Sequence, residues 1–360
     1  MYVRSLKLKN YRNYDKLHIH FDKGTTILYG DNAQGKTNVL ESVYLAVTTK
    51  SHRGSKDKEI IQFGENEAHV RLKVVKHDVE HRIDMHLRGL KSKGIAVDGI
   101  PIKRSSELLG ICNVVFFSPE DLSLIKDSPS DRRRFMNMEL CQLDKIYCSD
   151  YVNYNNVLNQ RNSLLKQIYF RPDLNDTLDI WDEQLIDHGR RLIKSRREFV
   201  EMMNDIMRDI HLRLSGGKEN VRIDYVMNTT EEGFADELRA KRDKDLKYQT
   251  TQVGPHRDDL AFFINDIDVK SYGSQGQQRT TALSLKLSEI RLVREMMREN
   301  PILLLDDVMS ELDSNRREYL LDSIKDIQTI VTCTGYDDFI NRRMKIDNIY
   351  RVENGAIMAK

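Results

Sequence analysis

No stretch constrains this chain more than Gly30-Asp31-Asn32-Ala33-Gln34-Gly35-Lys36-Thr37. It fits the spacing G-x-x-x-x-G-K-[ST], and it is preceded by the apolar run TTILY and followed by NVLESVYLAV. That order reads as strand, glycine loop, helix, the context in which such a loop holds a phosphate. The glycines let the backbone wrap around the group and the amides at the helix start donate to its oxygens. Lys36 neutralises charge, and Thr37 can ligate magnesium. An accidental glycine turn with an exposed lysine explains neither flank.

A magnesium nucleotide also needs a carboxylate at the end of a neighbouring buried strand, and PILLLDD, residues 301–307, supplies two. Asp306 is expected to hold the water shell of the metal. Asp307 points to the other side of the strand end, where it can orient the attacking water as general base. The competing reading is that one of the pair only caps the next turn.

Between these two motifs the character of the chain changes. Residues up to about 128 alternate apolar and polar positions in MYVRSLKLKNYRNYDKLHIHF, AHVRLKVV and HRIDMHL, and IAVDGIPI carries the hairpin signal Asp98-Gly99. From about Ser130 the period becomes helical. Tyr151, Tyr154, Leu158, Leu165 and Ile168 share one face, and Leu178, Trp181, Leu185, Leu192, Phe199, Met203, Ile206 and Ile210 share another. RPDLND separates the two runs, LSGG ends the second, and ADELRAKRDKDLKYQ reads as irregular. The α/β pattern returns with GPHRDDLAFFI, PILLLDD, TIVTCT and a hairpin at Asn354-Gly355. The expected organisation is a split α/β domain, 1–128 plus 250–360, interrupted by an α-helical insertion at 129–249.

The polar run Ser274-Gln275-Gly276-Gln277-Gln278-Arg279 opens a helix that turns apolar at once. A hydroxyl and free amides at a helix start form an anion site. Since the chain already has one phosphate loop, the economical reading is that Ser274 caps the γ-phosphate held by a second subunit. An ordinary N-cap with solvated glutamines is the alternative.

Composition removes other classes. With 39% hydrophobic and 31% charged residues the chain can bury real cores. A net charge of +1 gives no global field, so a nucleic-acid partner must meet a local basic patch. The four cysteines lack metal-ligand spacing, which disfavours a zinc site or a disulfide framework and fits a reducing cytosol. The N-terminus lacks the apolar core of a signal peptide, and ILLL is far too short to span a bilayer.

Taken together, LKNYRNY, GDNAQGKTNVLE, TKSHR, PEDLSLIKDSPSDRRRFMN, GPHRDDL, SQGQQR and LLLDDVMSELD resemble the ATP-binding-cassette heads of the SMC class, and within it the RecF family. The resemblance covers essentially the whole chain. It implies an ABC/SMC-type P-loop ATPase head with an inserted helical lobe and no long coiled coil. By it, Arg12 and Asn13 contact nucleotide phosphate, Asn32 and Asn38 flank the phosphate loop, and Ser310 to Asp313 form a loop facing the second subunit. Gly30, Gly35, Lys36 and Thr37 bind ATP, with Thr37 and Asp306 on Mg2+. Ser274, Gly276 and Gln277 act on the partner's nucleotide, and Lys36, Asp307 and Ser274 (in trans) carry catalysis. The implied activity is ATP-dependent DNA binding with dimerisation on ATP and weak, DNA-stimulated hydrolysis, in a bacterial cytoplasmic, nucleoid-associated protein that helps RecR and RecO place RecA on gapped DNA.

Four features depart from the expected pattern. Asp127 stands where a glycine is preferred, no glutamine sensor is evident after the first core strands, and Thr332 or Thr334 occupies the place of a last-strand histidine. Asp307, where many cassettes have glutamate, implies slow hydrolysis. Lys50, Arg53 and Lys56 form one candidate DNA cluster, Arg132 and Arg133 another, each read against a merely solvated face. The absence of a stacking platform points to recognition by backbone charge rather than sequence. His256 is expected to order its loop. Two other functions compete: a small-molecule kinase using the same loop, and a scaffold in which ATP only stabilises the fold.

Overall fold

The computed structural model describes residues 1–335 and 346–359. They form two compact units, Met1–Asp121 with Lys286–Lys360, and Leu122–Leu285. Fifteen strands are present among the described residues: β1 Tyr2–Tyr11, β2 Tyr14–His20, β3 Thr25–Tyr29, β4 Glu67–Lys76, β5 Val79–Arg88, β6 Gly94–Val97, β7 Ile100–Pro101, β8 Val114–Phe117, β9 Val221–Val226, β10 Asp259–Ile264, β11 Ile267–Asp268, β12 Ile302–Asp306, β13 Thr329–Cys333, β14 Ile346–Glu353 and β15 Ala356–Ala359.

The first unit holds two sheets. One is antiparallel, in the order β2-β1-β4-β5-β6-β7. Its strands alternate as a sheet with one wet face should: Leu6, Leu8, Val70, Leu72, Ile83 and Met85 are buried while their neighbours Lys7, Lys9 and Arg71 face water. Asp98 and Gly99 both take positive φ at the β6–β7 hairpin, as the dipeptide requires. The other sheet runs β15-β14-β3-β13-β12-β8, with β14, β3, β13, β12 and β8 parallel. Its central strands ILLLD, TIVTC and VVFF are buried throughout, which is why they read as continuous runs rather than alternating ones. Helix Lys36–Thr48 joins this core through Val39, Leu40, Val43 and Val47, which cluster with residues of both sheets.

The second unit is built on helices Pro129–Leu143, Lys145–Ile168 and Leu178–Leu214. Tyr154, Leu158, Leu165 and Ile168 of the middle helix are buried, as are Leu185, Leu192, Phe199, Met203 and Ile206 of the third, so the helical period was correct. The last helix has 37 residues, about 55 Å at 1.5 Å per residue, and it stops at Leu214 where Gly216 and Gly217 adopt positive φ.

Three expectations need correction. The insertion is not purely helical: β9, β10 and β11 form an antiparallel sheet inside this unit. Because β10 pairs with β9, the segment from 250 to 285 belongs to this unit and not, as expected, to the split domain. ADELRAKRDKDLKYQ is not irregular but contains two short helices, Phe234–Ala240 and Arg242–Tyr248, anchored by buried Phe234, Leu238 and Asp245. The charge run masked their small apolar contribution. All four cysteines are free and buried, and no helix among the described residues is long and apolar enough to cross a membrane.

Candidate nucleotide site

The phosphate loop sits where β3 hands over to helix Lys36–Thr48. Gly30 and Gly35 take positive φ, and a side chain at either would strike its neighbour: the carbonyl of Val352 at Gly30, the amide of Asn13 at Gly35. Both glycines are therefore required by close backbone approach as well as by conformation. The Asn13 amide donates to the Gln34 carbonyl at 2.9 Å and accepts from Asn38 at 2.8 Å, so these two asparagines brace the loop from outside. Asn32 lies exposed at the loop's crest. Lys36 is buried, its ammonium donating to the carbonyls of Gly30 and, at 2.8 Å, Asp31. Burial pulls its pKa down, opposed by the nearby charges of Asp307 and Asp306.

The two carboxylates at the end of β12 differ. Asp306 Oδ1 accepts from the hydroxyls of both Thr37 and Thr332 at 2.7 Å. A carboxylate and a hydroxyl in contact are the hard oxygen donors that Mg2+ takes, so the residues present fit that ion. Asp307 turns into the left-handed region with φ 51, and its amide donates to the Thr332 carbonyl and hydroxyl at 3.3 and 3.1 Å. The Asp307 carboxylate is half-buried, and no hydrogen bond occupies it among the described residues. Ser310 closes the turn by donating to the Asp307 carbonyl at 2.7 Å, and Asp313 caps helix Ser314–Ser323. Thr332, at the position where a histidine was sought, is thus a brace for both aspartates. Cys333 follows it beside Lys36, its thiol pushed up to about 12 by burial.

Arg12 is held by partners that the sequence did not announce. Its guanidinium forks onto Glu41 at 2.8 and 2.7 Å and also donates to the Glu59 carbonyl and the Ser55 hydroxyl, both at 2.8 Å. These four bonds use four of the five guanidinium donors and tie the loop at 49–59 to the nucleotide helix. Glu41 is fully buried and also accepts from Ser51 at 2.6 Å; burial pushes its pKa up, but the bonds from Arg12 and Ser51 outweigh this and hold it low. Sequence reasoning overlooked Glu41. Its signal was an acid directly after Leu40 on the apolar side of the helix, where a carboxylate must have a partner.

The basic clusters separate. Lys50, Arg53 and Lys56 are exposed on the loop that Arg12 and Glu41 hold. Arg132 is buried and forks onto Asp259 at 2.6 and 2.8 Å, which removes it from the candidate DNA contacts. Arg133 is half-buried and donates to the Asp258 carbonyl at 2.8 Å, so it too has a structural task.

Ser274 and Gln277 form a reciprocal cap. The Ser274 amide donates to the Gln277 side chain at 2.9 Å and the Gln277 amide donates to the Ser274 hydroxyl at 3.2 Å. Gln277 also donates to Glu219 at 3.0 Å, while Ser274, Gln275, Gly276 and Arg279 stay exposed. The ordinary N-cap is therefore present, with an exposed polar run beside it. In GPHRDDL every polar residue is engaged. His256 lies between the Tyr154 hydroxyl (2.7 Å) and the Thr251 carbonyl (3.1 Å), which fixes its proton on Nε2, and burial lowers its pKa to about 4. Arg196, buried, donates to Asp258, the Pro255 carbonyl, Tyr147 and Asn137. Asp127, where a glycine was expected, has φ −96 and needs none.

A parallel sheet with a phosphate loop, a threonine-braced carboxylate at a strand end and an inserted helical lobe defines an ATP-binding-cassette head of the SMC type. The family model described as "RecF/RecN/SMC N terminal domain" matches residues 2–358. DNA replication and repair protein RecF of Lachnospira eligens is 60% identical over 360 residues, covering 99% of both chains, and that of Agathobacter rectalis is 57% identical over 357 residues, again with 99% of both. A solved structure of the recombination mediator protein RecF-ATP in the RecFOR pathway superposes with a TM-score of 0.93 at 38% identity, covering 100% of this chain and 97% of that one. An Smc head bound to the C-terminal winged-helix domain of ScpA shares the fold, with a TM-score of 0.58 at 17% identity over 100% of this chain and 97% of the other. The chain belongs to the RecF family of DNA replication and repair proteins.

Proposed function

We propose that this protein is an ATP-gated DNA clamp of recombinational repair and replication. Two subunits sandwich two ATP molecules, the closed dimer binds single- and double-stranded DNA through backbone charge, and slow hydrolysis reopens it. The observation that carries this reading is the pairing of a complete phosphate loop with Thr37, Asp306 and Thr332, while the Ser274 helix start remains open to solvent. In it, the loop amides and Lys36 bind the β- and γ-phosphates. Thr37 and Asp306 would hold Mg2+, which supplies charge neutralisation on the phosphate oxygens. Asp307 orients a water for attack on the γ-phosphorus, accepting its proton as the bond to the β-bridging oxygen breaks. The partner's Ser274, Gly276 and Gln277 approach the γ-phosphate through hydroxyl and amide donors. An aspartate in the base position has a shorter reach than glutamate and accords with weak turnover. By kinship with proteins of the RecFOR pathway, the partners are RecR and RecO with RecA downstream on gapped DNA, and the setting is the bacterial cytoplasm and nucleoid.

Light scattering with ATP and Mg2+, with ADP and without nucleotide tests the clamp. The parent is expected to double its mass only with ATP, and Ser274→Arg to remain monomeric while still binding ATP. A Ser274→Arg protein that dimerises like the parent sinks the trans role of Ser274; a parent mass indifferent to nucleotide sinks the clamp. Lys36→Arg is expected to abolish ATP-dependent DNA binding, and intact DNA binding in that variant would favour the scaffold reading.

A further inference from the structure

The water-facing side of the antiparallel sheet carries a cluster that the nucleotide chemistry does not use. His69 on β4 lies directly opposite His86 on β5, and Glu67, two residues before His69, projects from the same face. The two imidazoles are stacked at 4.1 Å between centroids, 19° apart in plane. Glu67 reaches both: Oε2 is 2.7 Å from His86 Nε2 and Oε1 is 3.5 Å from His69 Nε2. One ligand atom from each residue can be chosen so that all three lie within 4.8 Å of one another. Three neighbours on two paired strands hold this convergence through backbone register, so it does not rest on one flexible side chain.

We propose that Glu67, His69 and His86 form a site for a borderline divalent transition cation of the Zn2+ class, with its fourth position open to solvent. Two imidazoles and one carboxylate are the three-ligand set such ions take when a coordination position is kept for water or substrate. The same set discriminates against Mg2+ and Ca2+, which require several oxygen donors and draw affinity from carboxylate charge. Here there is a single carboxylate, and Lys9 pairs with His69 from β1. The site opens onto a groove of about 900 Å³ along the sheet face, whose walls carry Lys7, Lys9, Lys16, Arg71 and Arg88 against one carboxylate, Asp84, which pairs with Arg71. A metal there would turn its open position toward a cationic trough, so an anionic oxygen donor is the class of fourth ligand the surroundings favour.

Arg88 sets one condition. Its Nε donates to His86 Nδ1 at 3.4 Å, which keeps the His86 proton on Nε2, facing Glu67. Binding through Nε2 requires the other neutral tautomer, with the proton on Nδ1, and the Arg88 guanidinium must then swing away. Arg88 is long, and the contact it gives up is a weak one.

The test is titration of the full chain, without nucleotide, with Zn2+ followed by calorimetry and with Co2+ followed by visible absorbance. Expected is one equivalent per chain, with strong Co2+ bands diagnostic of fewer than six ligands, and affinity about tenfold or more weaker in His69→Ala and in His86→Ala. Glu67→Gln should weaken binding as well, and Arg88→Ala should leave it unchanged or tighten it. All four positions face water, so the variants should unfold at the parent's temperature in the absence of metal; should an alanine variant fold poorly, His69→Gln serves in its place. No stoichiometric binding by the parent, or binding retained at parental affinity in both histidine variants, overturns the proposal.

Discussion

At the scale of single residues, the strongest commitments are buried charges whose partners come from distant segments. Arg196 sits between the helices and the GPHRDDL loop with Asp258 as its counter-ion at 2.8 Å, both fully buried. Arg196→Met leaves that carboxylate without its cation, and we expect a loss of about 3–5 kcal/mol in urea unfolding, the usual consequence of breaking a buried pair. His256 gives a pH signature. Its folded pKa of about 4 lies below the value near 6.5 of an unfolded histidine, so between these limits the unfolded chain binds one proton more and stability falls as pH drops. The contribution is fully present above pH ~6.5 and shrinks by about 1.4 kcal/mol per pH unit down to ~4. Comparing urea midpoints at pH 7.5 and 5.5, His256→Gln should show a smaller loss than the parent by about 1.4 kcal/mol; equal losses in the two proteins would mean that His256 is not buried in its neutral form. Neither role was legible in the sequence beyond the expectation that His256 orders a loop. Tyr154, Asp258 and Arg196 stand up to about 100 residues apart, and no local period announces that they meet.

At the scale of elements, legibility followed periodicity and glycine. The phosphate loop, the strand ending in Asp306 and Asp307 and the two long helices were readable because each is a local pattern with a physical cause. Strand β9 was not, because VRIDYV follows a glycine stop closely and its partner β10 lies over thirty residues on. The tie of Arg12 to Glu41 was not legible for a related reason: it spans 29 residues. The start of helix Gln275–Met297 was open to two readings, and the cap is present with Ser274, Gln275 and Gly276 exposed beside it. Ser274→Ala should cost about 1 kcal/mol of stability, in line with loss of an N-cap serine, and Gln277→Ala a comparable amount. Each bond joins one residue's side chain to the other's backbone amide, so the two substitutions remove different bonds and the double variant should lose about the sum. A double-variant loss well below the sum, measured by denaturant unfolding, would show that the two bonds are coupled. A helix weakened this little remains folded, so a failure of Ser274→Arg to dimerise would report on the interface rather than on the element.

At the scale of the whole molecule, a net charge of +1 forces the question of where a polyanion could be held. Arg132 and Arg133 are spent on Asp259 and the Asp258 carbonyl, so of the two candidate DNA clusters it is Lys50, Arg53 and Lys56 that stays exposed. That loop is fastened by Arg12, Glu41, Ser51 and Ser55 to the helix that begins at the phosphate loop. A change at Lys36 and Thr37 can therefore reach the cluster through one rigid helix, a physical route by which ATP could govern DNA affinity. If a closed dimer presents both copies, six cations face the duplex, and counterion release predicts a slope of about −5 for log affinity against log salt with ATP present. Replacing Lys50, Arg53 and Lys56 by alanine should flatten that slope toward zero and leave ATP binding unchanged, since none of the three touches the nucleotide loop. Fluorescence anisotropy of a labelled duplex across a series of salt concentrations measures both quantities. A triple variant whose slope stays within about one unit of the parent's would move the DNA surface elsewhere on the chain. A flattened slope that no longer responds to ATP would place the cluster on the path from nucleotide to DNA.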